Sequence, residues 1–170
     1  GKNYSSTLSF GSAQNQANKN LVFSSEAEIN GLHINYNLKS SAGKKLLTIY
    51  SGPSLTIGAD VVTSQTDENG DIDLLYPSIA IRGGNTEQMV QNSTLVVHSG
   101  TYQYLIAGNG INTMTTAEVE IFGSTRIYSF LQCGGIAKDV STVSLQINGG
   151  EIENLYVDGY SADVSNVNIA

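Results

Sequence analysis

Four carboxylates are the residues in this chain whose type and spacing most readily suggest chemistry. Asp71 and Asp73 form one i, i+2 pair, and Glu118 and Glu120 form another. Residues two apart on a β-strand leave the same face, so each pair shows both acids on one side. If both segments lie on one outer face with a single strand between them, the pairs stand about 10 Å apart. Carboxylates separated by about 5–10 Å supply the acid and the base or nucleophile of a glycoside hydrolase. A polysaccharide hydrolase using Asp71, Asp73, Glu118 and Glu120 is therefore the enzymatic alternative. No Lys or Arg shares these columns to neutralise a uronate or take its proton. Charged side chains mostly sit in water, so a solvated acidic face is the simpler expectation, and no catalytic residue is assigned.

The run from Asp67 to Asp73, DENGDID, places oxygen donors at alternate positions, as the opening of an EF-hand-type loop does. Asp67, Asn69, Asp71 and Asp73 are the alternative ligands for calcium. The pattern breaks at Ile72, where that loop needs Gly, and at Ser78, where it closes on an acid. Asn69-Gly70 is also a tight-turn dipeptide, so an acidic turn with no cofactor is the expectation. His33 and His98 lie too far apart in the chain's repeat to share a metal and are expected at the surface. Cys133 precedes Gly134-Gly135 with no histidine in register, and reads as a small buried side chain. No G-x-S-x-G, phosphate loop or dinucleotide fingerprint occurs.

What positions these residues follows from composition and periodicity. Charged residues make up 14% of the 170 positions, against about 25% in an ordinary globular protein. Gly, Ser and Asn together fill 54 positions, with 2 Pro and no Trp. A helical bundle is excluded by that usage, and disorder by apolar alternation that recurs to the last residue. The net charge of −7 removes the electrostatic footprint of a nucleic-acid binder. Residues 1–45 carry +3 and residues 46–170 carry −10. No apolar run is long enough to span a bilayer as a helix. A single cysteine leaves the redox compartment open.

A repeat of about 24 residues organises the chain. One apolar column runs Phe10, Ile34, Ile57, Ile81, Leu105, Phe130, Leu155, in steps of 23–25. A second runs Leu21, Leu47, Ile72, Leu95, Val119, Leu145, Ile169, in steps of 23–26, with a companion two residues on from Phe23 to Ile147. Gly52, Gly100, Gly123 and Gly150 fall between strands, and Met89, Met114, Val140 and Val164 form a weaker third series. Three short strands per unit without helical periodicity predict an all-β, right-handed parallel β-helix of about seven coils. The single domain covers residues 1–170, with 1–30 as a candidate N-terminal cap or first coil.

VSLQINGGEIENLYVDGY and VEIFGSTRIYSFLQCGG resemble the strand–GG–strand repeats of parallel β-helix modules in large bacterial surface and secreted proteins, often adhesin-like. The likeness is clearest over 91–170. It implies a secreted or cell-surface setting and a non-catalytic binding or spacer role, within a longer parent protein. It brings no catalytic residues.

With the columns placed, two outward series are unusually apolar. Tyr50, Leu75, His98 and Phe122 follow the second strand, and Ile106, Leu131 and Tyr156 follow the first-strand column, with Tyr104 nearby. Exposed apolar patches mark interaction sites, and aromatic rings stack on sugar faces. Tyr50, His98, Tyr104, Phe122, Leu131 and Tyr156 are thus the candidate binding residues, for a glycan or other host-surface ligand. Covering of the same columns by a second copy, giving a homo-oligomeric fibre segment, is the alternative.

Overall fold

The computed structural model describes residues 6–10, 18–37, 46–66, 69–73, 78–109 and 111–170, and all regular structure among them is β. The first strands are β1 (Ser6–Phe10) and β2 (Lys19–Val22). The next turn brings β3 (Ala27–Ile29), β4 (Leu32–Asn37) and β5 (Leu47–Tyr50). Then come β6 (Ser54–Ile57), β7 (Val62–Thr66), the short β8 (Ile72–Asp73) and β9 (Ile79–Arg82). Two long strands, β10 (Asn92–Ile106) and β11 (Met114–Gln132), each bend through a whole turn. The chain continues through β12 (Val140–Asn148), β13 (Glu151–Ile152), β14 (Leu155–Tyr156) and β15 (Val164–Ile169).

Apart from β8, which pairs antiparallel with β7, the strands pair in parallel with strands of neighbouring turns, which makes a β-solenoid of about five turns. Three faces result. The first stacks β3, β6, the start of β10, the start of β11, β12 and β15. The second holds β1, β4 and β7, then the middles of β10 and β11, and β13. The third stacks β2, β5, β9, the ends of β10 and β11, and β14. Where β7 meets β10 a side chain replaces the backbone ladder: Thr63 Oγ1 donates to Thr101 O and accepts from Thr101 N–H, both at 2.7 Å.

The apolar alternation explains this winding. A strand of one coil has one apolar side, and the only place to bury it is the bore shared with the coils above and below. On the first face Leu55, Leu95, Val119 and Leu145 are in register and buried, as are Ile57, Val97 and Ile121 beside them. On the third face Ile49, Ile81, Leu105 and Leu131 form the matching column. Full burial of each such side chain stabilises by about 1.5–3 kcal/mol, and every coil adds several.

The expected columns hold from Leu95 onward on the first face and from Ile81 to Leu105 on the third, and change at other rungs. Ile72 does not enter the bore; it is 61% exposed, because β8 folds back antiparallel on β7 instead of making a rung. Ile49, not Leu47, follows Leu21 in register, and Thr63, not Ile57, stands opposite Ile34. Leu131, expected outside, is 0% exposed in the bore, and Phe130 points out in its place. The cause is a pair of register shifts between β10 and β11, at Val97/Ser99 and at Tyr102/Tyr104. Each gives β11 one extra residue, and a one-residue slip exchanges inside for outside.

Corners are held by small residues and by asparagines. Gly100 has φ +97°, and a Cβ there would meet the ring of the fully buried Tyr102. Between the third and first faces, buried Asn109 donates from Nδ2 to Asn85 O at 2.9 Å, and Asn85 Nδ2 donates to Phe23 O at 3.3 Å. Their Oδ1 atoms accept the N–H groups of Ile111 and Glu87 at 3.0 and 2.9 Å. The loops at Phe23, Asn85 and Asn109 are thereby tied together, the first across the intervening 51–53 corner.

The assignment of inside and outside at the last bulge is open to a direct test. Leu131→Ala is expected to lower unfolding free energy in urea by about 2–5 kcal/mol, and Phe130→Ala by clearly less. The reverse ranking would mean that Phe130 is the core residue.

Candidate functional site: an aromatic track on the third face

Alternation along the third face decides which side chains leave the bore. With Ile81, Leu105, Leu131 and Leu155 in one column, Arg82, Tyr104, Phe130, Gln132 and Tyr156 point outward. Tyr104 and Phe130 are register partners, and their rings lie 5.1 Å apart with planes 3° from parallel. Phe130 and Tyr156 follow at 5.8 Å with a 57° tilt. At the other end the Arg82 guanidinium carbon sits 5.6 Å from the Tyr104 ring centre, and Arg82 Nη2 donates to the Tyr104 hydroxyl at 3.0 Å. The spacing follows from the coil repeat of about 4.8 Å, close to the separation aromatic pairs favour.

Stacking has a consequence for binding. Rings packed face to face show solvent their edges, so Tyr104 and Phe130 form a wall more than a platform. Tyr156, tilted against Phe130, ends the row with 53% of its surface exposed. It borders a cleft of about 650 Å³ lined by Phe130, Gln132, Leu155, Tyr156, Asp158 and Tyr160, the last 85% exposed. That volume lies in the range of small-ligand sites. The Gln132 amide nitrogen is pinned to the carbonyls of Gly134 and Gly135 at 3.1 and 2.9 Å. Asp158 Oδ1 accepts the Val164 N–H at 3.3 Å. Burial, and secondarily the Asp158 charge, push the Cys133 thiol up to about 11. A buried, protonated thiol is no nucleophile. Apolar ring faces beside fixed carboxylate and amide groups suit recognition of a polyhydroxylated ligand.

The other expected site residues are distributed. His98 and Phe122 stack at 4.1 Å and 19° where the first face ends, two coils of one column. Tyr50 stands between Val22 and Arg82 on the third face and is only 9% exposed, so its ring is not a free surface. Leu131 belongs to the core, as shown above, and leaves the outward set.

The four carboxylates do not share a face. Asp71 and Asp73 belong to the β8 excursion beside β7, where Asp73 Oδ2 accepts from Gln65 Nε2 at 3.2 Å. Glu118 and Glu120 stand on the first face, opposite Thr94 and Val96 in register, and Glu118 accepts from Thr94 Oγ1 at 3.2 Å. The sequence pattern misplaced them because it counted Ile72 as a rung. Of the calcium alternative, Asp67 lies outside the described residues. Among the described residues no three His, Cys, Asp or Glu side chains gather at metal-binding range.

His33, expected at the surface, is buried on the outer side of β4. Ser64 Oγ donates to Asn35 Oδ1 at 2.7 Å, so His33 Nε2 donates to Ser64 Oγ at 2.8 Å. That polarity leaves the imidazole unable to take the Ser64 proton, and the group is a buried network, not a nucleophile and its base.

Sequence reasoning missed Arg82, Phe130, Asp158 and Tyr160. One signal was available: Tyr104 and Phe130 stand 26 residues apart, the true Leu105-to-Leu131 offset, while Tyr156 is the register partner of Gln132.

The fold and this face together define a parallel β-solenoid with an outward aromatic track. No protein family matches the chain, and neither the curated proteins nor the solved structures provide a match.

Burial lowers the His33 pKa below its ordinary 6.5. Above about pH 6.5 both folded and unfolded states hold it neutral. Below that value the unfolded chain takes the proton first, so stability falls with acidification. The loss of Tm between pH 7.5 and 5.0 is expected to be smaller in His33→Gln than in the wild type, and an equal loss would place the acid sensitivity elsewhere.

Proposed function

We propose that this chain is a non-catalytic, adhesin-like β-solenoid module, wound right-handed, that binds glycan at a cell surface or in a secreted setting. Right-handed winding is what parallel crossover connections adopt. The observation that supports binding is the track Tyr104–Phe130–Tyr156, ending in a cleft beside the exposed ring of Tyr160. The low charge and the turn-rich solenoid suit a display scaffold. With Asp71 and Asp73 removed to another face, the polysaccharide-hydrolase alternative rests on Glu118 and Glu120 alone. On a glycan array, ligands retained by the wild type are expected to lose about tenfold or more in affinity when Tyr156 and Tyr160 are both changed to Ala, with fold intact by circular dichroism. Undiminished binding by that double variant would remove this face as the site.

One observation favours homo-oligomerisation as a second reading. The outward His98–Phe122 column on the first face, and Tyr156, Val157 and Tyr160 in the last coil, leave apolar surface exposed. A second copy seated on these outer columns would cover them. Light scattering is expected to show concentration-dependent growth under this reading, and a monomer at all concentrations would exclude it.

A further inference from the structure

Among the described residues, one buried side-chain nitrogen or oxygen lacks a hydrogen-bond partner: Nε of Arg82. The guanidinium carries five N–H donors, and here a single bond is made, from Nη2 to the Tyr104 hydroxyl. Its register neighbours on the third face are Tyr50 in the coil before and Ile106 in the coil after, both uncharged. Arg126 pairs with Glu151 on a different face. Nε itself is closed off by burial, so the donors left to an incoming partner are those of Nη1 and the second hydrogen of Nη2 on the half-buried side chain.

We propose that Arg82 is the specificity-determining residue of this face, and that it receives an anionic oxygen group, carboxylate or sulfate, of a glycan whose rings run along the aromatic track to Tyr156. This rests on the glycan-binding reading above and adds the class of sugar. A planar guanidinium fork matches both oxyanions bidentately, and the Tyr104 hydroxyl holds the fork in orientation. The overall charge of −7 does not defeat this. The track's acidic member, Asp158, lies in the coil of Tyr156, three rungs from Arg82. At about 4.8 Å per rung that is roughly 14 Å, beyond the screening length of about 8 Å in physiological salt.

The test measures binding of the full chain to polygalacturonate, its carboxyl-reduced polymer, dextran sulfate and dextran, for wild type, Arg82→Met and Arg82→Lys. The wild type is expected to prefer the carboxylated or sulfated polymer over its neutral counterpart, and which one it prefers identifies the anion. Arg82→Met is expected to abolish that preference, with at least a tenfold loss on the acidic polymer and little change on the neutral one. Arg82→Lys, which keeps the charge and the packing of the stem but loses the fork, is expected to fall in between and to keep the wild-type Tm. Equal binding of acidic and neutral polymers by the wild type overturns the role of Arg82 and leaves glycan binding standing. A parallel loss on both polymers in Arg82→Met and Arg82→Lys makes Arg82 a structural prop for Tyr104 and also overturns it. Binding of none of the four overturns both readings together.

Discussion

Everything in this molecule depends on the coupling of two interactions that neither coil possesses alone: the parallel backbone ladder between turns and the apolar columns that the ladder brings into register. A single coil has unpaired N–H and C=O groups on both edges and an apolar side with nothing to cover it. Stacking satisfies both needs at once, because register partners in the ladder are also neighbours in the bore. Stability is therefore built rung by rung and not around a central globule. The same coupling sets the outside. A ladder that repeats at about 4.8 Å places outward side chains at nearly the same interval, which is why Tyr104 stacks on Phe130 and why Arg82 comes to lie over Tyr104.

Because faces alternate residue by residue, single insertions carry large consequences. The two bulges between β10 and β11 lengthen one coil by two residues without breaking the ladder. Had only one been present, Phe130 would enter the bore and Leu131 would face solvent, and the aromatic track would be interrupted at its middle. The β8 excursion works the other way. It lets a polar, acidic segment leave the solenoid before β9 restores the third face, so Asp71 and Asp73 end up far from the strand that carries Glu118 and Glu120.

Charge is distributed in a way that net values conceal. Of the acids in residues 46–170, Glu118 and Glu120 stand on the first face, Asp71 and Asp73 in the β8 segment, and Glu151, Glu153, Asp158 and Asp163 in the last coil. The third face keeps a lone guanidinium among aromatic and aliphatic neighbours. Polar groups elsewhere are absorbed in structural roles: the Asn85–Asn109 ladder at the corners and the His33–Ser64–Asn35 network on β4 each satisfy buried donors with neighbours one coil away. Histidine and serine within bonding distance thus carry structure here.

The sequence by itself determined the class of fold and the part of the bore where the repeat is undistorted. Leu95, Val119, Leu145 and Ile169, with Val97, Ile121 and Ile147 beside them, were legible because a strand's period of two and a coil near 24 residues leave one consistent apolar set. Only the tertiary structure decided the rest. Phe130 and Leu131 are both apolar, so no pattern of hydrophobicity distinguishes them; the bulges do, and bulges are settled by the fit of one coil on another. Ile72 matches a core position in composition but lies in a segment that pairs backwards. Arg82 had no visible role as a single cation in the chain, and its significance arose when the ladder set it above Tyr104 with its Nε unpaired. Local pattern specifies what can be buried, while register between distant strands decides which of those residues are, and so which side chains remain outside to bind.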